Sequence, residues 1–337
     1  MTYEAPVNRQ WTLKQRPNPG PISDSCFEFK DVPLPSLKEG EFLVRNRFLS
    51  FDPTQRGWME RDTYLPAIPL GGVVRALASG MVVDSRNAHY KVGTRVTGLF
   101  GWQEYAVGNG NEAFRTLIIP EAVSDEAALS VFGMTGLTAF FGMEDIAKPK
   151  EGDTVVVSGA AGATGSIAAQ IARIKGAIVI GIAGGENKCS WLLEKAKIHH
   201  AIDYKNENVA KRLRELAPKG VNAFFDNVGG KILDEVLLRL SLKARIALCG
   251  GIQGYSGDAD ASIRNYMSLV ITRSKMEGFL ISDYAPRFQE GVTALAKWLS
   301  EGRLCFEVDV QKGIENAPET LRRIFEGKNL GKQVLAI

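Results

Sequence analysis

The chain runs Thr154-Val155-Val156-Val157-Ser158, then Gly159-Ala160-Ala161-Gly162-Ala163-Thr164-Gly165, then Ser166-Ile167-Ala168-Ala169-Gln170-Ile171-Ala172. A β-branched apolar run, a glycine turn and a helix start follow one another without interruption. Glycine at 159, 162 and 165 removes side chains where the backbone must bend sharply and approach another group closely. The helix start beyond offers N–H groups without intrahelical partners and a partial positive charge. Those are the requirements of a pyrophosphate. With the second apolar run Ala177-Ile178-Val179-Ile180-Gly181-Ile182, the segment makes a βαβ unit of about 30 residues, the setting in which a glycine triplet reads as a dinucleotide site.

The tip of the second strand bears on which dinucleotide. An NAD site places Asp or Glu there to hold the ribose 2′-hydroxyl, whereas this strand ends Ile182-Ala183-Gly184-Gly185-Glu186-Asn187-Lys188. The acid is missing at the tip, glycine leaves room for a 2′-phosphate, and Lys188 with Tyr204 downstream can supply a charge and a hydroxyl. Glu186 opposes an anion if it points inward. The balance favours NADP(H) over NAD. Each residue also has an ordinary explanation, Lys188 as a solvated lysine at a helix start and Tyr204 as a half-buried strand-end residue.

Other chemistries find less support. Cys26, Cys189, Cys249 and Cys305 lie far apart, as reduced structural thiols do. None combines with His89, His199 or His200 in a zinc-ligand spacing, so no metal is expected. Lys and Arg total 41 against 38 Asp and Glu, a net charge of +3, and the basic residues are scattered, which argues against a nucleic-acid partner. The first residues lack an apolar stretch of the secretory kind and no run of about 18 apolar residues follows, so the expected location is cytoplasmic, with no membrane role.

A chain of 337 residues is long for one domain. Up to about residue 127, short β-like runs such as Glu41-Phe42-Leu43-Val44-Arg45-Asn46-Arg47 alternate with Gly and Pro turns and predict an all-β unit. After Gly152 the pattern becomes that of a parallel, doubly wound α/β sheet. It predicts helices over 166–175, 187–196, 207–217, 231–241 and 286–301, and further strands over 223–226, 244–249 and 276–281. A strand over 304–310, a helix starting at Asn316-Ala317-Pro318 and a strand over 332–335 read as a return to the first unit. The expected domains are 1–127 with 303–337, and an inserted 128–302.

The runs Gly133-Met134-Thr135-Gly136-Leu137-Thr138-Ala139-Phe140-Phe141-Gly142, Lys148-Pro149-Lys150-Glu151-Gly152-Asp153, Phe225-Asp226-Asn227-Val228-Gly229-Gly230, Glu315-Asn316-Ala317-Pro318-Glu319 and Phe325-Glu326-Gly327-Lys328-Asn329 resemble, in order along the chain, the zinc-independent medium-chain reductases. The nearest branch looks like the prostaglandin reductase, leukotriene B4 12-hydroxydehydrogenase and curcumin reductase group. The resemblance implies a GroES-like β domain with a Rossmann domain inserted into it, NADPH as hydride donor, and homodimers. It assigns Gly162, Ala163 and Gly165 to the pyrophosphate turn and Lys188 and Tyr204 to the 2′-phosphate. Asn227 would lie beside the cofactor, although an Asn before glycines also suits a plain turn. Asn329 would approach the nicotinamide end, its alternative being a solvated loop residue.

The implied reaction is reduction of the carbon–carbon double bond of a small-molecule enone or enal. Hydride addition at the β-carbon builds negative charge on the carbonyl oxygen, which needs a donor. In similar enzymes a tyrosine after a Cys-Gly run serves, and here Cys249-Gly250-Gly251-Ile252-Gln253-Gly254 leads to Tyr255. A phenol with a pKa near 10 stays protonated at neutral pH and can donate. Tyr64 is a second candidate for lining the substrate. Two departures bear on specificity. Thr54 replaces the tyrosine usual in the run Phe51-Asp52-Pro53-Thr54-Gln55-Arg56-Gly57, which removes an aromatic wall, and residues 254–265 form a short Gly/Ser/Asp-rich stretch. Arg56 is either an anion partner or a structural ion pair. A quinone reductase of the same fold and a non-catalytic nucleotide-binding sensor are the competing readings.

Overall fold

Strand-forming runs punctuated by glycine and proline occupy the first part of the chain. In chain order they give β1 (Val7–Leu13), β2 (Phe27–Pro33), β3 (Phe42–Ser50), α1 (Thr54–Glu60), β4 (Ala78–Ser85), β5 (Arg95–Gly98), β6 (Tyr105–Gly108), β7 (Leu117–Ile118) and α2 (Asp125–Leu129). The computed structural model describes residues 7–110, 116–256 and 261–337. From Ser130 the character changes. There follow α3 (Met134–Phe141), which runs into a π-helical turn, then β8 (Thr154–Ser158), α4 (Ala163–Ile174), β9 (Ile178–Ala183), α5 (Glu186–Glu194), β10 (His200–Asp203), α6 (Val209–Leu216), β11 (Val221–Asp226), α7 (Gly230–Leu237), β12 (Leu240–Leu248), α8 (Ser268–Thr272), β13 (Lys275–Gly278) and α9 (Phe288–Ser300). β14 (Val308–Lys312), α10 (Ala317–Phe325) and β15 (Lys332–Ala336) close the series.

The chain divides into two units, one formed by Met1–Leu129, Val308–Asn329 and Gln333–Ile337, the other by Ser130–Glu307 and Leu330–Lys332. The first is built on a seven-stranded sheet in the order β14-β15-β3-β4-β5-β7, with β6 also paired to β3, and on the antiparallel pair β1-β2. It is not purely β. Seven residues containing a glycine are too few to show a helical period in the sequence, and what holds α1 is tertiary. Arg56 is 1% exposed. It donates to Glu60 Oε1 at 2.7 Å, to the Gly20 carbonyl at 2.6 Å and to the Asn18 carbonyl at 2.8 Å. Of the two readings of Arg56, the structural ion pair is the one observed.

The second unit is a six-stranded parallel sheet in the order β10-β9-β8-β11-β12-β13. This is the doubly wound Rossmann arrangement, in which the order reverses beside β8. Val155, Val156 and Val157 are fully buried, as a strand covered by helices on both faces must be, and each contributes about 1.5–3 kcal/mol by leaving water. On one face Val156, Ile180, Ile202, Phe224 and Ile246 pack under Leu213 of α6 and Leu233, Val236 and Leu237 of α7. Among the described residues no helix is long and apolar enough to cross a membrane.

Two differences from the expected elements have local causes. The helix expected over 231–241 stops at Leu237, because Leu240 already pairs with Val221 and begins β12. The strand expected over 304–310 begins only at Val308. Before it, Cys305 makes no ladder. Its N–H donates to Gln170 Oε1 and its carbonyl accepts from Gln170 Nε2, both at 2.8 Å. One buried amide on α4 thus does for Cys305 what a neighbouring strand would do.

Gln170→Leu keeps the volume and leaves two backbone groups of Cys305 without partners. The expected cost is about 2–4 kcal/mol, read as a lower midpoint of urea unfolding. A change under about 0.5 kcal/mol would show that the amide bonds are incidental.

Candidate active site

In a parallel sheet all strands deliver their carboxyl ends to one edge, and ligands bind there at the point where the strand order reverses. The ends of β8, β11 and β12 are joined at that edge by Asp226. This residue is fully buried. Ser158 Oγ donates to its Oδ1 at 2.6 Å, and the N–H groups of Val228 and Gly229 donate to its carboxylate at 3.1 Å. Its backbone carbonyl accepts from Cys249 at 2.9 Å and Gly250 at 3.1 Å. Burial pushes the carboxyl upward, and the bonds from Ser158, Gly229 and Val228 oppose that rise. Ser158 in turn accepts from the Asn227 N–H at 2.9 Å, while Asn227 Nδ2 donates to the Ser158 carbonyl at 2.7 Å. Burial close to Asp226 pushes the Cys249 thiol up to about 12, so it stays protonated and is no nucleophile.

The glycine turn follows directly from Ser158. Gly159 has φ +56°, a conformation that disfavours any Cβ. A Cβ at Gly165 would sit 2.2 Å from the Gly159 carbonyl oxygen, so only glycine lets α4 start this close to β8. Gly162 caps α4 with no side-chain hydrogen bond, and Ala163 is its first residue. The N–H groups of that first turn therefore point outward without a protein cap. The turn is braced from behind by Gly331, whose N–H donates to the Ala161 carbonyl at 2.8 Å.

At the tip of β9 a Cβ on Gly184 would lie 2.8–2.9 Å from the ring and hydroxyl of Tyr204. The phenol therefore rests on bare backbone. Tyr204 is 45% exposed, and burial of its inner face, with Asp203 adjacent, raises its pKa. Gly185 has φ +97° with open space where a Cβ would be, and it caps α5 without a side-chain bond. Lys188 is half-buried in the first turn of α5, and Glu186 is exposed. Asp203, at the end of β10, is turned into the loop. It accepts from the N–H of Gly185 at 2.8 Å, from Asn206 Nδ2 at 2.7 Å and from the N–H of Lys205 at 3.1 Å. Burial pushes the Asp203 carboxyl upward, but the bonds from Gly185, Asn206 and Lys205 and the charge of Lys205 outweigh it and hold it low.

Tyr255 lies in the short helical turn Ile252–Ser256. That turn is tied to the loop after β11 by Ile252 N–H to the Asn227 carbonyl at 3.4 Å and Gln253 N–H to the Val228 carbonyl at 3.1 Å. Gln253 Oε1 also accepts from the N–H of Lys231 at 3.2 Å. The Tyr255 hydroxyl accepts a long bond from Gly251 N–H at 3.5 Å, which leaves its own proton for another acceptor, and burial raises its pKa. Residues 257–260, in the stretch noted above as short, lie outside the described residues.

The structure thus gathers Gly162, Ala163, Gly165, Lys188, Tyr204, Asn227 and Tyr255 along one edge of one sheet. Tyr64 and Asn329 belong to the other unit. Ser158, Asp226 and Gln253 were not singled out from the sequence; the available signal was the acid ending the apolar strand Ala223-Phe224-Phe225-Asp226. An uncapped helix N-terminus, a turn in which a Cβ has no room, and a half-exposed phenol over a bare strand tip fit a dinucleotide bearing a 2′-phosphate. Among the described residues no group of three or more His, Cys, Asp or Glu side chains is placed to hold a metal ion.

Residues 9–116 match a family model described as the N-terminal domain of oxidoreductase, and residues 163–298 one described as zinc-binding dehydrogenase. YfmJ of Bacillus subtilis (strain 168) is 41% identical over 98% of this chain and 97% of its own. The NADPH-dependent curcumin reductase of Escherichia coli (strain K12) is 35% identical, with 98% and 97% covered. The crystal structure of CurA in complex with NADPH from Vibrio vulnificus superposes with a TM-score of 0.91 at 37% identity, covering 97% of this chain and 98% of that one.

The low pKa of Asp203 has a consequence for stability. Its ionised form is favoured in the fold, so its contribution is present above the ordinary carboxylate pKa of about 4 and is lost as pH falls through the lower folded value. Asp203→Asn is expected to cost about 1–2 kcal/mol at pH 7, with the gap to wild type closing as pH drops below about 4. Urea unfolding at a series of pH values measures this, and a gap that stays constant down to acid pH would show that the charge contributes nothing.

Proposed function

The chain belongs to the zinc-independent, NADP-dependent branch of the medium-chain dehydrogenase/reductases, and on that footing we propose that it reduces the carbon–carbon double bond of α,β-unsaturated ketones and aldehydes. The observation that carries the reading is Tyr255. Its phenol is kept protonated by burial and anchored through Ile252 and Gln253 to the loop that holds Asn227, beside the glycine turn. Bound NADPH supplies the hydride. The N–H groups of Ala163 and Gly165 would hold its pyrophosphate, with Gly162, whose own N–H closes on the Gly159 carbonyl, keeping the approach clear; Lys188 and Tyr204 would hold its 2′-phosphate, and Asn227 and Asn329 would border its nicotinamide half. Negative charge then gathers on the substrate's carbonyl oxygen. Tyr255 donates a hydrogen bond to that oxygen, stabilising the enolate, and passes its proton to it; the enol then tautomerises to the saturated carbonyl, taking its α-carbon proton from water, and the proton released from the enol oxygen restores the phenol. Tyr64 lines the substrate.

Two further parts of the proposal concern the setting. A cytoplasmic location is supported by four cysteines that are all free. A homodimer is supported by the open side of the parallel sheet. β13 is an edge strand, and α8 beside it exposes Val270 and Ile271, an apolar surface that an isolated edge would leave at risk of unspecific association.

Assays with NADPH and NADH against enals, enones and quinones test the reading. NADPH oxidation by enones is expected, with a clear preference over NADH. Tyr255→Phe should lower kcat by about 10²–10⁴ while the affinity for NADPH, followed by fluorescence, stays within about twofold of wild type. Reduction of quinones but not enones, or full turnover in the variant, would overturn the assignment. Sedimentation should give twice the chain mass, and Val270→Glu with Ile271→Glu should give single chains; a wild-type monomer at micromolar concentration would remove the dimer.

A further inference from the structure

The turn that carries Tyr255 reaches back to a helix through a side chain that the proposed reduction leaves without a task. Helix α7 starts at Gly230, and its N-cap, Gly229, has no side chain with which to close the first turn. The Gly229 N–H is taken by Asp226 at 3.1 Å. The Lys231 N–H, in the same first turn, is met from outside the helix by Gln253 Oε1 at 3.2 Å. Gln253 thus caps α7 from a different loop, the one in which Tyr255 follows two residues later.

The arrangement depends on missing side chains. Gly230 has φ +53°, and a Cβ there would lie 2.3 Å from Gln253 Oε1 and 2.6 Å from its Cδ. The space that glycine leaves is the space the amide fills. A Cβ on Gly229 would likewise come within 3.3 Å of the Gly251 Cα, so the loop after β11 and the loop after β12 lie against each other backbone to backbone. Two main-chain bonds add to the seat, from Gln253 N–H to the Val228 carbonyl at 3.1 Å and from Ile252 N–H to the Asn227 carbonyl at 3.4 Å. The phenol itself is held less firmly. Its hydroxyl accepts only a long bond of 3.5 Å from Gly251 N–H, and exposed Gly254 is the one link between Gln253 and Tyr255. The direction of the phenol is therefore set by how the turn is seated.

We propose that Gln253 is a positioning residue for the proton donor: its amide, seated on the N-terminus of α7 in the room left by Gly230, fixes the turn from which Tyr255 projects. This rests on, and deepens, the reading above in which Tyr255 protonates the enolate. Without the amide the Lys231 N–H loses its acceptor and the turn keeps its two main-chain bonds alone. Glutamate is the same length, keeps the acceptor and places a negative charge where a helix start favours one. Leucine fills the volume and accepts nothing.

Reduction of 4-phenylbut-3-en-2-one by NADPH tests the assignment. Gln253→Leu should lower kcat about 10- to 100-fold, the scale of a small misplacement of a reacting group, with KM and NADPH affinity within about twofold of wild type. Gln253→Glu should recover most of the loss. In a Tyr255→Phe background, Gln253→Leu should cost nothing more, because residues that act as a unit are not additive. Unchanged kcat in Gln253→Leu, or a full second loss in the double variant, would overturn the proposal. Gln253→Asn, too short to reach α7 but still polar, repeats the test should the leucine variant fold poorly. If the wild type does not reduce the enone, the enone reading falls by itself, and the seat of the turn is read without turnover. In protein labelled with 3-fluorotyrosine, the ¹⁹F resonance missing from Tyr255→Phe belongs to Tyr255. Gln253→Leu should shift or broaden it and bring its titration down toward that of an exposed phenol, and Gln253→Glu should restore it. A resonance and titration that Gln253→Leu leaves in place would end the proposal.

Discussion

A carboxylate without water around it holds the site together. Asp226 is buried at the ends of three strands, and its carboxyl is satisfied from two pieces of the edge: the Ser158 hydroxyl at the end of β8 and the N–H groups of Val228 and Gly229 in the loop after β11. Its backbone carbonyl adds the start of the loop after β12. Leaving a buried polar group without one of its partners costs about 1–3 kcal/mol, so these loops are held in register with one another. The glycine turn leaves from Ser158, Asn227 follows Asp226, and the chain toward Tyr255 begins at Cys249. The glycine turn and the loop that carries Tyr255 are therefore referenced to a single atom group, and their mutual placement does not depend on long side chains finding their rotamers independently.

The same logic explains coenzyme choice better than composition does. An acid is present near the tips of the second and third strands of the nucleotide half, but Asp203 is drawn into its own loop by Gly185, Asn206 and Lys205. Tyr204, the next residue, is thereby turned over Gly184. The surface left is a hydroxyl, a half-buried lysine and bare backbone, without the free carboxylate that an NAD site sets against the ribose diol, and it suits a phosphate.

Much of this was legible from residue order. The turn from Gly159 to Gly165 announced itself because strand, bend and helix are local, and the alternation after Gly152 fixed a parallel sheet by the same short-range rules. The residue types at Lys188, Tyr204 and Tyr255 were visible, whereas what each of them touches was not. The hidden parts are long-range. Ser158 and Asp226 are 68 positions apart, and Gln170 and Cys305 are 135 apart. No periodicity marks an amide that stands in for a strand, nor an acid that ties three loops. α1 was missed for the same reason, since Arg56 is held by Asn18 and Gly20, far upstream of the helix it stabilises.

Gly331 adds a constraint in time. Its N–H closes on Ala161, it pairs with Gly162, and a side chain there would meet the Glu307 carbonyl oxygen at 2.1 Å. Of all the pieces in the parallel-sheet unit, this one is translated last. The bend before α4 is thus closed by a residue from beyond the last strand of the sheet it serves, so its final geometry waits on the far end of the unit.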